Sequence, residues 1–170
     1  LSSADFRAGF EGGGERDIVV MSMDLRRSTD LMLKARSPRD YADFISALSE
    51  KLTGIIIDNF GIYDKFTGDG ILSFFPDFYS GDDAMGYALK AARECHECFD
   101  RHYSSSRKLF SSVFRDMGLG IGIDYGRANI IRINREITVV GEPVVYACRY
   151  AGARAGDTLL NQKARDLAVG

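Results

Sequence analysis

The chain has few of the residues most often used for proton transfer and soft-metal binding. It carries two histidines, three cysteines and three prolines. Both histidines, His96 and His102, fall in one stretch of helical periodicity, so a histidine general base at a site elsewhere in the chain is not expected. Three cysteines, an odd number without framework spacing, argue against a disulfide scaffold and for a reducing cytoplasm. No apolar run reaches the ~18 residues that a membrane-spanning helix needs. The N-terminus lacks the charged-then-apolar pattern of a secretion signal. A formal net charge of −2 gives no reason to expect nucleic acid or an anionic membrane as partner. What remains is 170 residues of ordinary composition, enough for one domain with a proper core.

Residues 1–15, with Gly12-Gly13-Gly14, read as a mobile lead-in, and residues 16–170 as the folded domain. Residues 17–24 form an apolar strand. Ser28-Thr29 is then expected to cap a short helix to about Ala35, and Ser37-Pro38 to open a second, which Gly61 ends. Apolar positions from Tyr41 to Ile56 recur at helical spacing. A hairpin over 62–75 stops at Pro76, and a third helix covers about 81–103. Within that helix, Cys95-His96-Glu97-Cys98 resembles half a zinc site. No second ligand pair exists, and both sulfurs share the apolar stripe, so core packing is expected. Leu119, Ile121 and Ile123 alternate with glycines, whose missing side chains point to a closely approaching backbone. A hairpin pairing 130–133 with 137–140, a helix over 144–152 opened at Pro143, and a strand at 158–160 complete the series. The order β-αα-ββ-α-βββ-α-β predicts an α+β fold, with helices on one face of a largely antiparallel, ferredoxin-like sheet.

Two acids stand out. Asp24 lies where the first strand runs out, followed by Leu25-Arg26-Arg27-Ser28-Thr29 and a helix start. Asp69 lies at the tip of the hairpin, in Lys65-Phe66-Thr67-Gly68-Asp69-Gly70. If the fold brings the two carboxylates together, they repel by about 4 kcal/mol at about 4 Å and an effective dielectric near 20. Such a pair calls for a divalent cation, and hard oxygen donors suit Mg²⁺ or Mn²⁺. Backbone N–H groups of the 25–29 turn, at a helix start, can receive phosphate oxygens. Two metals bridging those oxygens and a hydroxyl is the arrangement of in-line phosphoryl chemistry. Cations elsewhere include Lys65, with Tyr63 two residues earlier and so expected on the same strand face. Arg127 follows Gly126, and Arg149 lies one turn beyond Val145.

Taken together, the Asp24 strand with its turn, the Lys65-to-Gly70 hairpin, the Gly118-to-Gly126 strand with Arg127, and the Gly141-to-Arg149 helix resemble the catalytic domain of class III nucleotidyl cyclases. The resemblance spans about residues 17–162. It implies that Asp24 and Asp69, with the Leu25 carbonyl, hold two Mg²⁺ or Mn²⁺ ions. It implies further that Arg26, Arg27, Ser28, Thr29 and Arg127 bind a triphosphate, that Lys65 and Thr138 read the base, and that Arg149 stabilises transition-state charge. Sites in this family lie between two subunits, so a two-fold homodimer is expected. Val145 stands where the family places a ribose-orienting asparagine, and the hairpin before Gly141 is short. The family's final strands, with a phosphate-binding lysine they often carry, would fall beyond Gly170.

The run Val139 to Arg149 in a free-standing domain looks like the pyrimidine cyclases of bacterial anti-phage (Pycsar) defence. Tyr63 would fill space that a purine needs. The resulting expectation is a cytoplasmic cyclase acting on CTP or UTP. Adenylate cyclase is the first alternative, and a degenerate nucleotide-binding or dimerisation module the second.

Overall fold

The structure, a computed structural model, describes residues 8–10 and 14–169. Its strands are β1 (Glu15–Arg26), β2 (Ile62–Phe66), β3 (Gly70–Pro76), β4 (Gly118–Ile133), β5 (Glu136–Gly141) and β6 (Thr158–Leu160). The main helices are α1 (Ser28–Lys34), α2 (Pro38–Asp58), α3 (Ala84–Ser105), α4 (Glu142–Tyr150) and α5 (Gln162–Val169). The sheet runs β2-β3-β1-β4-β5, antiparallel throughout, with β6 added parallel to β4. The α+β class and the antiparallel sheet expected from the sequence are both present.

β1 is buried without interruption from Ile18 to Met23 because both of its faces are covered. On one face Val19, Met21 and Met23 meet Ile71, Phe75 and Ile121, under α2 and α3. On the other, Ile18 and Val20 join Leu72, Phe74, Ile130 and Val139, together with Ala147 of α4. Helices therefore lie on both faces, not one. The glycines of β4 are the reason. A Cβ at Gly122 would collide with the Ala147 carbonyl oxygen, so the bare strand lets α4 settle backbone to backbone. The close approach was legible in the alternating glycines, but which helix makes it was not.

Three further departures have physical causes. Residues expected as two strands form the single sixteen-residue β4, whose first half pairs with β6 and second half with β5. Helix α5, unexpected from the sequence, buries Ala164 in the larger core. The glycine at the end of α2 does not take the left-handed turn; Phe60 does, at φ 58°. Gly61 is needed there because a Cβ would run into Ile56 and the Phe75 ring. The start of α2 is as expected, with Pro38 in its first turn and the Ser37 hydroxyl oxygen accepting from the Asp40 N–H. Within the segment read as a mobile lead-in, residues 8–10 are helical and Phe10 packs edge-on against Phe78. Gly12 and Gly13 lie outside the described residues.

The two ends of the sheet order, β2 and β5, are drawn together through one side chain. Asp64 sits at an irregularity in β2, between Tyr63 opposite Ser73 and Lys65 opposite Leu72. Its Oδ2 accepts from the Thr138 hydroxyl at 2.8 Å and from the Val139 N–H at 3.1 Å. The extra residue also breaks the two-residue alternation. Tyr63 and Lys65 now stand opposite consecutive residues of β3, on opposite faces, which corrects the expectation that they share one.

Candidate active site

Register brings the two acids together. Asp24, near the end of β1, pairs with Gly70, the first residue of β3, so the hairpin tip lies beside it. A Cβ at Gly70 would strike the Met23 carbonyl oxygen; glycine is what lets the strands close here. The Leu25 N–H then donates to the Asp69 carbonyl at 3.0 Å, and the Ser28 hydroxyl donates to Asp69 Oδ2 at 2.5 Å. This last bond replaces the expected helix cap: Arg27, in the left-handed region at φ 62°, holds the cap position of α1 without a capping side chain. The Ser28 hydroxyl is committed to the acid instead.

The electrostatics are those of a crowded pair. Burial, and after it the Asp69 charge, raise the Asp24 pKa above its ordinary value, against the pull of Arg26. The two carboxyls are close enough for the charge of Asp69 to act on Asp24. The Arg26 guanidinium lies on Asp24 Oδ2, its stem passing over the bare backbone of Gly120, where a Cβ would crowd it. The phenol of Tyr41, which the sequence marked only as part of the α2 stripe, has its pKa raised by burial and by Asp69. It lines a cavity of about 320 Å³ with Ser28, Thr29, Thr67 and Asp69.

These donors fit a divalent cation. They are all oxygens, two of them on carboxyls that repel when both are ionised. Among the described residues no third histidine, cysteine or acid joins them. The pair would therefore hold an ion with coordination positions left over for phosphate oxygens and water, as Mg²⁺ prefers.

The other expected site residues are dispersed. Arg27 does not face the acids: it pairs with Asp30 at 2.8 Å and Asp116 at 3.1 Å, and lies over the Phe114 ring. Arg127 stands opposite Asp17, whereas Asp24 stands opposite Gly120. The seven residue steps between them span roughly 23 Å at the rise of a strand. Arg127 instead pairs with Glu15 at 3.3 Å and lines a second cavity, of about 490 Å³, with Asn161 and Lys163. Tyr63 and Lys65, although on opposite faces, both line a third cavity of about 570 Å³ at the β2 edge, with Asp64 and Ile137. Thr138 is buried next to it.

Arg149 is exposed on α4 above the Tyr146 ring and has no carboxylate partner among the described residues. Beside it Val145, 49% exposed, also faces outward. One chain thus assembles the acid pair, with Arg127 far along the β1–β4 ladder from it.

The histidines stay out of the site. His96 Nε2 is hydrogen-bonded to the Thr158 hydroxyl at 2.9 Å, and burial lowers its pKa. His102 has the Phe44 carbonyl on Nε2 and Lys51 on Nδ1, and burial again lowers its pKa. Cys95 and Cys98 are buried in the core, as the sequence led us to expect.

No family model matches this sequence, and no curated protein matches it. Solved structures do. The guanylyl cyclase Cya2 superposes with a TM-score of 0.81 at 23% identity, over 92% of this chain and 80% of that one. The adenylyl cyclase CyaB from P. aeruginosa gives 0.82 at 19% identity, over 92% and 82%. A class III adenylyl cyclase-like ATP-binding protein from Pseudomonas aeruginosa gives 0.76 at 18% identity, over 91% of this chain and 35% of that one. The chain therefore has the fold of class III cyclase catalytic domains. At these identities the likeness establishes architecture alone.

Proposed function

We propose that the protein is a class III nucleotidyl cyclase, converting a nucleoside triphosphate to its 3′,5′-cyclic monophosphate and pyrophosphate. The observation that carries this reading is the Asp24–Asp69 pair, fastened by Leu25 and Ser28 at one end of a cyclase-fold sheet. A fold freed from catalysis has no use for two acids that destabilise each other. When bound, two Mg²⁺ or Mn²⁺ ions supply the charge that neutralises phosphate oxygens and lowers the pKa of the ribose 3′-hydroxyl.

The chain's own residues do the rest. Asp24 and Asp69 supply the anionic oxygens of the site, and the Leu25 carbonyl would add a neutral one. Ser28 orients Asp69 by hydrogen bond. Arg26 and Thr29 lie near enough to meet a triphosphate, Arg26 by leaving Asp24. Lys65 and Thr138 read the base, with Tyr63 limiting its size. The 3′-oxygen attacks the α-phosphorus as pyrophosphate leaves, and Arg149 steadies the charge that builds on the equatorial oxygens. Arg149, exposed and without a carboxylate partner among the described residues, is available to serve a second subunit's acids in the two-fold dimer that the family resemblance implies. Arg127 reaches a triphosphate only in the same way.

The substrate in this reading is a pyrimidine nucleotide, CTP or UTP, and the product a cytoplasmic second messenger of anti-phage defence. Support comes from the likeness of residues 139–149 to pyrimidine cyclases and from Tyr63 at the cavity that Lys65 lines. Adenylate cyclase is the nearest alternative, because Lys65 and Thr138 also suit adenine. Val145 favours a different one, a module that binds nucleotide without turning it over, because valine cannot hydrogen-bond a ribose hydroxyl. One incubation separates all three: an equal mixture of CTP, UTP, ATP and GTP with Mn²⁺, the products identified by mass. Cyclic CMP or cyclic UMP with pyrophosphate is the expected result. Cyclic AMP in excess would sink the pyrimidine assignment, and intact nucleotides would sink catalysis.

A further inference from the structure

We infer that the cavity between β4 and the first turn of α4 binds a small zwitterion of the amino-acid class, its ammonium held by Asp124 and Glu142 and its carboxylate by Lys163. Asp124 stands opposite Val20, four residues along β1 from Asp24, and lines a different cavity from the acid pair. The inference is independent of the cyclase reading.

The site begins with strand alternation. Every second residue of β4 faces α4, and most of that row is bare. A Cβ at Gly120 or Gly122 would strike the carbonyl oxygen of Ala151 or Ala147, and one at Gly126 would crowd the Pro143 ring. Asp124 falls between Gly122 and Gly126, so the one side chain in this stretch of the row is a carboxylate. It is 2% exposed. Its Oδ1 accepts from the Tyr125 N–H at 2.8 Å, and its Oδ2 takes no hydrogen bond among the described residues. Among those residues Asn59 Oδ1 alone is both sealed from solvent and unpartnered. Asp124 Oδ2 is therefore open, and what it opens on is the cavity of about 490 Å³ that Asp124 lines. A carboxylate oxygen so deeply placed calls for a donor that the chain does not supply.

The charges around that oxygen define the occupant. Burial raises the Asp124 pKa, the Tyr125 N–H draws it down, and after them Glu142 raises it and Lys163 lowers it. Glu142 and Lys163 line the same cavity, and neither has an ion-pair partner among the described residues. Arg127 on its rim is already taken by Glu15 at 3.3 Å. Two acids and one lysine are thus left unmatched. A divalent cation is a poor match, because no third acid, histidine or cysteine joins the two among the described residues and Lys163 would repel it. An ammonium brings a single charge and three donors. The volume leaves room for a carbon skeleton behind it. Lys163 then meets the far end of the molecule, where a carboxylate is attracted and a second ammonium is not.

The test is a calorimetric binding series. Glycine, β-alanine, 4-aminobutyrate and 5-aminopentanoate are titrated into the protein, with butylamine and butyrate as compounds that carry one charged end each. At least one amino acid should bind with a Kd of about 1 mM or tighter. It should bind at least about threefold tighter than butylamine and about tenfold tighter than butyrate. Asp124→Asn, equal in shape, should weaken it at least about tenfold. Lys163→Met, at an exposed position, should bring the amino acid and butylamine to within about twofold of each other. It reads the carboxylate end even if Asp124→Asn does not fold. Asp69→Asn should leave the affinity unchanged, because the acid pair is not the site. No binding by any of the four amino acids overturns the inference. So does unchanged affinity in a folded Asp124→Asn, an unchanged preference over butylamine in Lys163→Met, or a loss of binding in Asp69→Asn. Butylamine or butyrate binding the wild type as tightly as the amino acid overturns it as well.

Discussion

Two carboxylate sites sit on the same sheet and have been solved in opposite ways. Asp64 is enclosed and satisfied: a hydroxyl, a backbone N–H and an ammonium face its two oxygens. Asp24 and Asp69 are half-open and unsatisfied, two like charges sharing one arginine and one serine. The first arrangement holds β2 to β5 and contributes to stability. The second costs stability in the absence of cations, and burial makes that cost larger. A fold keeps an expensive site where something outside the chain completes it. The contrast separates an acid that ties two strands together from a pair whose charges the chain itself leaves unmet.

The largest expected effect follows directly. Asp69→Asn removes one of two anionic oxygen donors where charge must be neutralised, a loss of several kcal/mol and so about a thousandfold in turnover. The same substitution should raise the melting temperature of the metal-free protein, because the repulsion on Asp24 disappears. Thermal melts with and without Mn²⁺ check both halves: the wild type gains from the metal and the variant does not. A variant that melts lower without metal, and still responds to it, would contradict the comparison.

The pH dependence has a definite sign. The folded-state pKa of Asp24 lies above its ordinary value of 3.8. Its contribution is fully favourable below that ordinary value and is lost as pH rises through the raised one. Metal-free protein should therefore lose stability on going from about pH 4 upward across that window, and Mn²⁺ should restore it. Asp69→Asn should shrink the loss without abolishing it, since burial is the larger cause. Melts across a pH series read this out.

How much of this could be seen beforehand depends on range. The acids at strand end and hairpin tip were legible because each is marked locally, by an apolar run that stops and by glycines that let strands touch. The glycine alternation in β4 announced a close neighbour for the same reason. Asp64 was invisible as a structural residue because it lies one position from Lys65 in a strand that reads as regular. Only pairing with β3 exposes the extra residue, and only the return of β5 supplies its partners. Arg27 misled through spacing. A left-handed backbone turns it toward Asp116, a residue 89 positions away that no local pattern connects to it. The second layer was missed because α4 reaches its face of the sheet through long-range packing.

Breaking the satisfied site should cost less in turnover than in stability. Asp64→Leu leaves the Thr138 hydroxyl and the Val139 N–H without an acceptor, at about 1–3 kcal/mol each. In a chain of 170 residues a net loss of about 3 kcal/mol corresponds to a fall in melting temperature of roughly 6–12 °C. Metal-dependent stabilisation should survive, because Asp64 takes no part in holding the cation. If the Mn²⁺ response vanished along with the stability, the two sites would not be independent.

The smallest effect sharpens the comparison across subunits. Asp24→Ala and Arg149→Ala should each be inactive alone. If the acids of one chain work with the arginine of another, mixing the two variants creates a hybrid dimer with one intact site. At full exchange half of the dimers are hybrids, each with one of two sites, so about a quarter of wild-type activity should return. Arg149 is suited to this role because it is exposed, unpaired among the described residues and carried on a helix that packs tightly through its opposite face. Subunit exchange is verified independently by mixing differently tagged chains. Exchange without recovered activity would mean that Arg149 serves its own chain's acids, or none. Recovery near a quarter would tie the unsatisfied pair to a partner's cation, as Asp64 is tied to its own neighbours.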